Sequence, residues 1–398
     1  MIIMLGSIVA IGPLTIDMYL PALPAIGSEF LASATSVQLT LTGMLIGVAL
    51  GQIFVGPLSD ALGRRRPLLW GVGVHVVASL LCAVAPNLAT LGLLRVVQGV
   101  GAAAGGVVAM AIVRDLVSGV AAAKVISRLI LVLGAAPILA PTLGSFVLRL
   151  TDWRGVFVVL AVFGVAIGTM AALALPETLP PPRRQRLNLG TTLRSYRTIL
   201  ADRSFVGLVL VASLGMGAVF SYVSGSSYVM QGQFGLSEQV FGLVFGVGAV
   251  GLIGSAQLNV KLLNRFTPRQ IMVSALSVSS LGALLMLVIA AAHVRSIAGL
   301  LIPLWITLTG AGLIMPNAAA MAMTRHGEAA GTAAAVVGCV QFGLGAVTAP
   351  MVGAFGSTAL AMAAVMSIAL LGAFASLLFV VRAADMEYVE SAPAVAAA

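Results

Sequence analysis

The most constraining feature of this 398-residue sequence is a series of apolar segments, each about 18–25 residues long, that recurs along the whole chain. In a bilayer only helices and closed barrels satisfy every backbone hydrogen bond. The segments are continuous and do not alternate, which indicates helices and not barrel strands. Charged residues make up 8% of the chain, far below the roughly 25% of a soluble domain. We therefore predict an all-α membrane protein with twelve transmembrane helices.

Six predicted spans fall in each half of the chain. They cover residues 2–21, 37–57, 68–86, 90–113, 124–148, 155–175, 204–228, 238–259, 270–292, 298–323, 330–354 and 357–381. The longest interruption contains Pro180, Pro181 and Pro182 followed by a basic run, which is typical of a solvated linker. We predict an N-terminal six-helix bundle at 1–175, a basic cytoplasmic linker at 176–203, and a C-terminal six-helix bundle with a short cytoplasmic tail at 204–398.

The placement of lysine and arginine predicts the orientation of the chain. With the N-terminus inside, seventeen of the 21 Lys and Arg residues fall in cytoplasmic segments or in the first five residues at the cytoplasmic end of a span, three fall outside, and Arg95 lies well inside a span. This asymmetry follows the positive-inside rule and predicts that both termini are cytoplasmic. It also explains the net charge of +9 without a nucleic-acid partner. Because no basic stretch precedes the apolar N-terminus, we interpret it as the first span and not as a cleaved signal peptide.

The residue types required for enzymatic or metal chemistry are not grouped in the sequence. The three histidines are scattered, and Cys82 and Cys339 lie in apolar segments. No Ser/His/Asp set, His-Glu-x-x-His motif or nucleotide-binding P-loop is recognisable. We predict that the chain is not an enzyme, binds no metal, needs no cofactor and has no disulfide.

Two charged residues, Asp17 and Arg95, lie well inside predicted spans and are singled out from those at helix ends or in loops; a charge in the membrane interior is costly and by default marks a function. Asp17 is the one carboxylate so placed, and Arg95 is the one base. An arginine stays charged and can serve as a fixed counter-charge, whereas a carboxylic acid can gain and lose a proton. Our hypothesis is that protonation and substrate binding compete at Asp17. The alternatives are that Asp17, close to Pro21, solvates an outer helix end, and that Arg95 makes a scaffold contact to carbonyls of the first helix.

Several segments resemble motifs of the major facilitator superfamily. Residues 56–66 (GPLSDALGRRR) resemble the loop G-x-L-[AS]-D-[RK]-x-G-R-[RK], with Ala61 in place of the basic residue. Residues 95–102 (RVVQGVGA) match the fourth-helix motif R-x-x-Q-G-x-G-A, and residues 136–145 (APILAPTLGS) resemble the fifth-helix antiporter motif G-x-x-x-G-P-x-x-G-G. Residues 15–24 (TIDMYLPALP) and 312–318 (GLIMPNA) are similar to the bicyclomycin-resistance (Bcr/CflA) branch of drug:proton antiporters.

This resemblance implies the major facilitator fold, which has two pseudo-symmetric six-helix bundles. It also implies multidrug efflux by alternating access across the bacterial cytoplasmic membrane, driven by the proton gradient. We expect a monomer whose substrates are small, mostly apolar, drug-like molecules. Proton-coupled export of a single metabolite, such as an amino acid or a sugar, is the alternative.

The same resemblance and the residue chemistry suggest two further groups of site residues. Methionine and phenylalanine give an adaptable apolar wall and amides orient a ligand, although each could equally be ordinary packing. The substrate-binding candidates are Asp17, Tyr19, Gln98, Met216, Phe220, Asn317 and Gln341. The acidic–basic turn after the second span and the prolines of the fifth span are candidates for gating, the alternative for the arginine run being an orientation signal. The gating candidates are Asp60, Gly63, Arg64, Arg65, Asp115, Pro137, Pro141 and Gly144.

Overall fold

The computed structural model describes residues 2–117, 119–184, 189–294, 296–326 and 330–381. Within these ranges all regular structure is helical, and twelve helices are long and apolar enough to cross a membrane. Each of them overlaps one predicted span, which confirms the all-α membrane fold. Arg186, Arg295, Arg382 and the predicted C-terminal tail lie outside the described residues.

In the described parts of the chain, fourteen α-helices account for these spans and one additional element. They are α1 (Ile2–Asp17), α2 (Leu23–Glu29), α3 (Ala34–Leu62), α4 (Arg65–Ala83), α5 (Leu88–Leu116), α6 (Gly119–Leu150), α7 (Trp153–Ala174), α8 (Leu189–Ala201), α9 (Arg203–Ser227), α10 (Glu238–Leu262), α11 (Pro268–Ala291), α12 (Ile297–Thr324), α13 (Ala330–Ala354) and α14 (Ala359–Phe379). Helices α1 and α2 together make the first span, and α9 continues as a π-helical turn to Gln233. Helix α8 lies in the segment predicted as a basic cytoplasmic linker, 176–203.

Many helices begin at a polar side chain that caps the first turn. The Asn87 side chain accepts the Thr90 N–H at 2.8 Å at the start of α5, and Asp202 caps α9 in the same way. Thr267 and Gln270 form a reciprocal capping box at the start of α11. Since the first N–H groups of a helix have no partner within it, these residues fix where the spans begin.

The chain forms two compact units. The first contains the described residues up to Ala32 and from Leu39 to Leu189, and the second contains Ser33–Gln38 and the described residues from Gly190 onward. The change of unit at Leu189 falls inside the segment predicted as a linker. The predicted domain limits themselves stay a prediction.

In the first unit, three glycines let α5 approach three other helices closely. A Cβ at Gly99 would overlap the Met44 carbonyl oxygen of α3, and one at Gly101 would overlap the Gly71 carbonyl oxygen of α4. A Cβ at Gly105 would press on a carbonyl oxygen of α1. Without a hydrophobic force between helices in lipid, close packing depends on such small residues. The R-x-x-Q-G-x-G-A segment is therefore a packing surface as well as the location of Arg95.

The first span does not end at residue 21, so its predicted limit is wrong. Pro21 and Pro24 lack an N–H, which interrupts the α-helix after Asp17; a 3-10 turn follows at Leu20–Ala22, and α2 then continues to Glu29. The span reaches on the order of 18 Å beyond Asp17 at ~1.5 Å per residue. Asp17 therefore lies near the middle of the 28-residue span and not at its outer end.

Candidate functional site: a buried polar cluster at the break in the first span

Asp17 is the last residue of α1, and its exposed fraction is 5%. Pro21 cannot donate the N–H that would normally bond to the Asp17 carbonyl, so the carboxyl group lies beside an interrupted stretch of backbone. Among the residues that the structure describes, none bonds to the Asp17 carboxylate or forms an ion pair with it. The break thus holds an enclosed acid without a fixed partner.

Arg95 lies beside the same break and is completely buried. Its Nη1 donates to the Thr15 carbonyl oxygen at 3.1 Å and to Gln98 Oε1 at 2.7 Å. Its guanidinium carbon lies 4.6 Å from the centroid of the Tyr19 ring and 5.7 Å from that of Phe157. Carbonyl oxygens and aromatic faces both stabilise a cation in an apolar environment. Arg95 therefore contacts the residues two positions before and two positions after Asp17, without pairing with Asp17 itself.

The cluster continues away from Arg95 through buried hydroxyl and amide groups. Gln98 Nε2 donates to Ser79 Oγ at 2.8 Å, and Ser79 Oγ donates to the His75 carbonyl oxygen at 2.7 Å. On the other side, the Tyr19 and Thr40 hydroxyls share a hydrogen bond of 2.6 Å. The Gln98 amide thus accepts from Arg95 through its oxygen and donates to Ser79 through its nitrogen. These two bonds fix the orientation of the amide, since only its oxygen can accept from arginine.

Helix α6 closes one side of the break through Gly144. A Cβ at this position would overlap the carbonyl oxygen of Met18, the residue after Asp17. Pro137 and Pro141 lie within α6, which continues as one helix from Gly119 to Leu150. The segment that resembles the antiporter motif therefore places a position without a side chain directly against the break.

A second cluster lies at the ends of α3, α4 and α5, around Arg64. The guanidinium of Arg64 bonds to Asp60 and, through Nε, to Asp115 Oδ2 at 2.7 Å. The Arg64 backbone N–H donates to Glu177 Oε1 at 2.7 Å. Gly63 has φ +89°, a conformation that side chains disfavour, and a Cβ there would overlap the Glu177 carboxylate. All of these groups belong to the first unit.

The charges of this cluster stabilise one another. Burial alone would lower the pKa of Arg64, but the hydrogen bonds to Asp115 and Asp60 outweigh it and the pKa is raised. Burial alone would raise the pKa of Glu177, but the backbone N–H groups of Leu179 and Arg64 outweigh it, with smaller contributions from Arg65 and Arg184, and the pKa is lowered. The side chain of Arg65 additionally donates to the Ala172 carbonyl oxygen. The predicted gating residues of this turn are thus brought together.

In the second unit the substrate-binding candidates lie in separate surroundings. Asn317 of α12 donates to Asn259 Oδ1 of α10 at 2.8 Å. Phe220 is buried, with its ring centroid 5.8 Å from that of Phe342. Met216 and Gln341 are half-buried. A role of these four residues in substrate binding stays a prediction.

Sequence analysis did not identify five residues of the two clusters. Thr40, His75, Ser79 and Phe157 complete the surroundings of Arg95, and Glu177 completes those of Arg64. The available signal for Thr40 and Ser79 was their polarity inside apolar spans, since buried polar groups are normally bonded to one another. His75 accepts from Ser79 through its backbone carbonyl, which any residue at that position would supply. Nothing in the local sequence distinguishes Phe157 from other aromatic residues.

Comparisons with known proteins agree with this architecture. A family model described as Major Facilitator Superfamily matches residues 5–350. The chain is 36% identical over 375 residues to the uncharacterized MFS-type transporter YdgK of Bacillus subtilis (strain 168), covering 94% of this chain and 93% of that protein. It is 29% identical to a bicyclomycin resistance protein homolog of Haemophilus influenzae, covering 88% of each. A partially occluded inward-open structure of the Escherichia coli xylose transporter XylE has a TM-score of 0.70 over 95% of this chain and 98% of that one, at 12% identity, a likeness in fold alone.

Proposed function

Because the chain belongs to the Major Facilitator Superfamily, we propose that it is an antiporter that exports small, mostly apolar compounds in exchange for protons. Membership of this family supports a transporter without enzymatic activity, and the twelve apolar helices among the described residues support a multi-pass membrane protein. The relative named for bicyclomycin resistance and the Bcr/CflA-like segments support a drug-like substrate. We further propose a monomer in the bacterial cytoplasmic membrane, with both termini inside and no cofactor besides the proton gradient.

The observation that carries proton coupling is the position of Asp17. It lies at the break midway along the first span, nearly enclosed, with no bonded donor or cation among the described residues. An unpaired carboxylate is costly to enclose in an apolar environment, whereas the protonated acid is neutral. Whether Asp17 carries a proton therefore changes the free energy of closing this site. In our proposal Asp17 takes up a proton from the outer side, releases it to the inner side, and binds proton and substrate in competition.

Arg95 has a different role in this proposal. It cannot lose its proton at relevant pH, and carbonyl and ring contacts already stabilise its charge. We propose that Arg95 is a positioning residue that holds both flanks of Asp17 in place. Tyr19 and Gln98 would contact substrate only by exchanging their present bonds to Thr40 and Ser79.

The cluster around Arg64 supports a gating role. The Arg64 guanidinium forms ion pairs with two carboxylates, those of Asp60 and Asp115, and the Arg64 backbone N–H donates to a third, that of Glu177. Such a set can change pairs when helices α3, α4 and α5 move, at small cost in charge burial. We propose that it stabilises one of the alternating states, and that Gly144 and the prolines of α6 let the first span shift against α6.

The proposal is tested with purified protein in proteoliposomes. An acidic lumen should drive uptake of a compound from a panel of neutral antibiotics that includes bicyclomycin, and a pH-sensitive dye should report proton exit. Asp17→Asn should abolish gradient-driven uptake. Asp152→Asn, the same chemical change at an exposed carboxylate that caps α7, should leave uptake unchanged.

Three results would contradict parts of the proposal. Gradient-driven uptake by Asp17→Asn would remove Asp17 from the coupling step. Uptake by the unaltered protein that does not respond to the gradient would exclude proton coupling. Uptake of one amino acid or sugar, with none of the antibiotics transported, would favour a single-metabolite exporter.

A further inference from the structure

Helix α8 is the one described helix of more than one turn outside the membrane spans and the α1–α2 break. A single residue, Asp202, separates its end at Ala201 from Arg203, where the membrane-spanning helix α9 begins. One residue spans at most about 3.6 Å. The C-terminal end of α8 therefore lies at the level of the membrane surface.

The apolar side chains of α8 divide into a covered and an uncovered set. Ile199 is 1% exposed and packs on the protein. Leu193 and Leu200 are 71% and 52% exposed, and a spacing of seven residues places them on the same face of the helix. A short helix with two large, exposed apolar side chains on one face is stabilised when those side chains are transferred from water to an apolar environment.

The charges beside this line have one sign. Arg194 and Arg197 are both exposed, and at about 100° per residue both lie on the same side of the Leu193–Leu200 line. The sequence of the helix, LGTTLRSYRTILA, contains no acidic residue. Helix α8 thus adjoins a membrane span and has two exposed leucines bordered by arginines. This pattern is typical of an amphipathic helix that lies in the headgroup region of a leaflet.

We propose that α8 docks on anionic phospholipids of the cytoplasmic leaflet, with Leu193 and Leu200 at the acyl boundary and Arg194 and Arg197 on the lipid phosphates. Anionic lipid is the occupant that supplies both requirements of this face, because it offers an apolar layer directly beneath a layer of negative charge. Because only Asp202 separates α8 from α9, this face of α8 can reach the lipid headgroups while both helices stay folded.

Docking of α8 also has a consequence for the second unit. Asp202 caps α9 and pairs with Arg325 Nε at 2.8 Å and with His326 Nε2 at 3.1 Å, both at the end of α12. A helix held on the leaflet immediately before Asp202 restrains this junction. The lipid composition of the leaflet thereby acts on the cytoplasmic ends of α9 and α12.

The test measures where the two faces of α8 lie in the full-length protein. In a background with Cys82→Ala and Cys339→Ala, a nitroxide is attached at Leu193→Cys or, as the control, at Thr198→Cys on the opposite, exposed face. Each protein is placed in vesicles of phosphatidylcholine alone or of phosphatidylcholine mixed with phosphatidylglycerol, and collision rates with oxygen and with a water-soluble nickel chelate are compared.

The position-193 label should collide mainly with oxygen in the phosphatidylglycerol vesicles, while the position-198 label collides mainly with the nickel chelate. Arg194→Gln and Arg197→Gln should move the position-193 label toward water. Each substitution should lower the membrane partition coefficient of α8 by about five-fold, because an arginine near an anionic surface contributes about 1 kcal/mol.

Equal access of the nickel chelate to both labels in anionic vesicles would overturn the proposal. Low collision rates of the position-193 label with both oxygen and the nickel chelate would assign this face to a protein contact instead. Recognition of anionic headgroups would be excluded if the position-193 label were immersed equally deeply in phosphatidylcholine vesicles and in anionic vesicles, and equally deeply with and without Arg194 and Arg197. Transport is not measured, so these outcomes do not depend on the proposed antiport.

Discussion

Replacing Gly99 with alanine should destabilise the protein more than the same replacement at Gly106, although both residues lie in α5. A Cβ at Gly99 would overlap backbone atoms of α3, namely the Met44 carbonyl oxygen and the Val48 nitrogen. A Cβ at Gly106 meets no atom within 4 Å. Because backbone atoms cannot rotate aside as a side chain can, α3 and α5 would have to separate to admit the methyl group at Gly99.

The expected difference follows from two opposing terms. Alanine favours a helix over glycine by about 1 kcal/mol, and this gain is common to both variants. Overpacking a close interface costs about 1–3 kcal/mol and applies to Gly99 alone. Gly99→Ala should therefore be less stable than Gly106→Ala by about 1–3 kcal/mol, or roughly 5- to 150-fold in the unfolding equilibrium.

The difference can be measured by titrating the purified variants with sodium dodecyl sulfate in mixed micelles and following helix content by circular dichroism. Gly106→Ala should unfold at the midpoint of the unaltered protein or slightly above it. Equal midpoints for the two variants would refute the claim that the small residues of this segment are required for close approach of α3 and α5.

Two further predictions concern the polar clusters. Tyr19→Phe keeps the ring beside Arg95 but removes the 2.6 Å hydrogen bond between the Tyr19 and Thr40 hydroxyls. Since such bonds in membranes contribute about 0.6 kcal/mol on average, the free energy of unfolding in detergent should fall by about that amount, and proton-driven uptake should persist. A complete loss of uptake would instead give the hydroxyl a chemical role. The pKa of Asp202 is lowered, because hydrogen bonds from Arg325 and backbone N–H groups outweigh burial. A carboxyl with a depressed folded pKa contributes stability above its ordinary value of 3.8, and loses it as pH falls through its folded value. The stability difference between the unaltered protein and Asp202→Asn should therefore shrink from neutral pH toward acid, and a difference independent of pH would contradict the ion pairs of Asp202.

The number of spans could be predicted from the sequence because bilayer thickness imposes a length that soluble folds do not. Asp17 and Arg95 could be found because an ionisable residue is conspicuous in an apolar segment. Their relation could not be predicted, since it depends on how α1 and α5 pack. Arg95 bonds to the Thr15 carbonyl and to Gln98 and not to the Asp17 carboxylate, which agrees with the scaffold contact that was its alternative interpretation.

Two elements escaped prediction for local reasons. The limit of the first span was placed at Pro21, where proline commonly ends a helix, but a 3-10 turn at Leu20–Ala22 contains Pro21, and Pro24 lies in the first turn of α2, where its missing N–H costs no hydrogen bond. Helix α8 was treated as linker because the basic and proline-rich composition before it dominated the interpretation of the whole segment. Its amphipathic pattern of Leu193, Ile199 and Leu200 is visible only when 189–201 is considered by itself.

The most direct test of the central claim is proton release on substrate binding. A transported compound is added to the purified protein in weakly buffered detergent solution containing a pH-sensitive dye, and binding is then measured across a range of pH. If proton and substrate compete at Asp17, binding should release protons, and the apparent affinity for the compound should weaken as pH falls. Asp17→Asn should release none and bind with an affinity independent of pH. Proton release of equal size from Asp17→Asn would contradict the account.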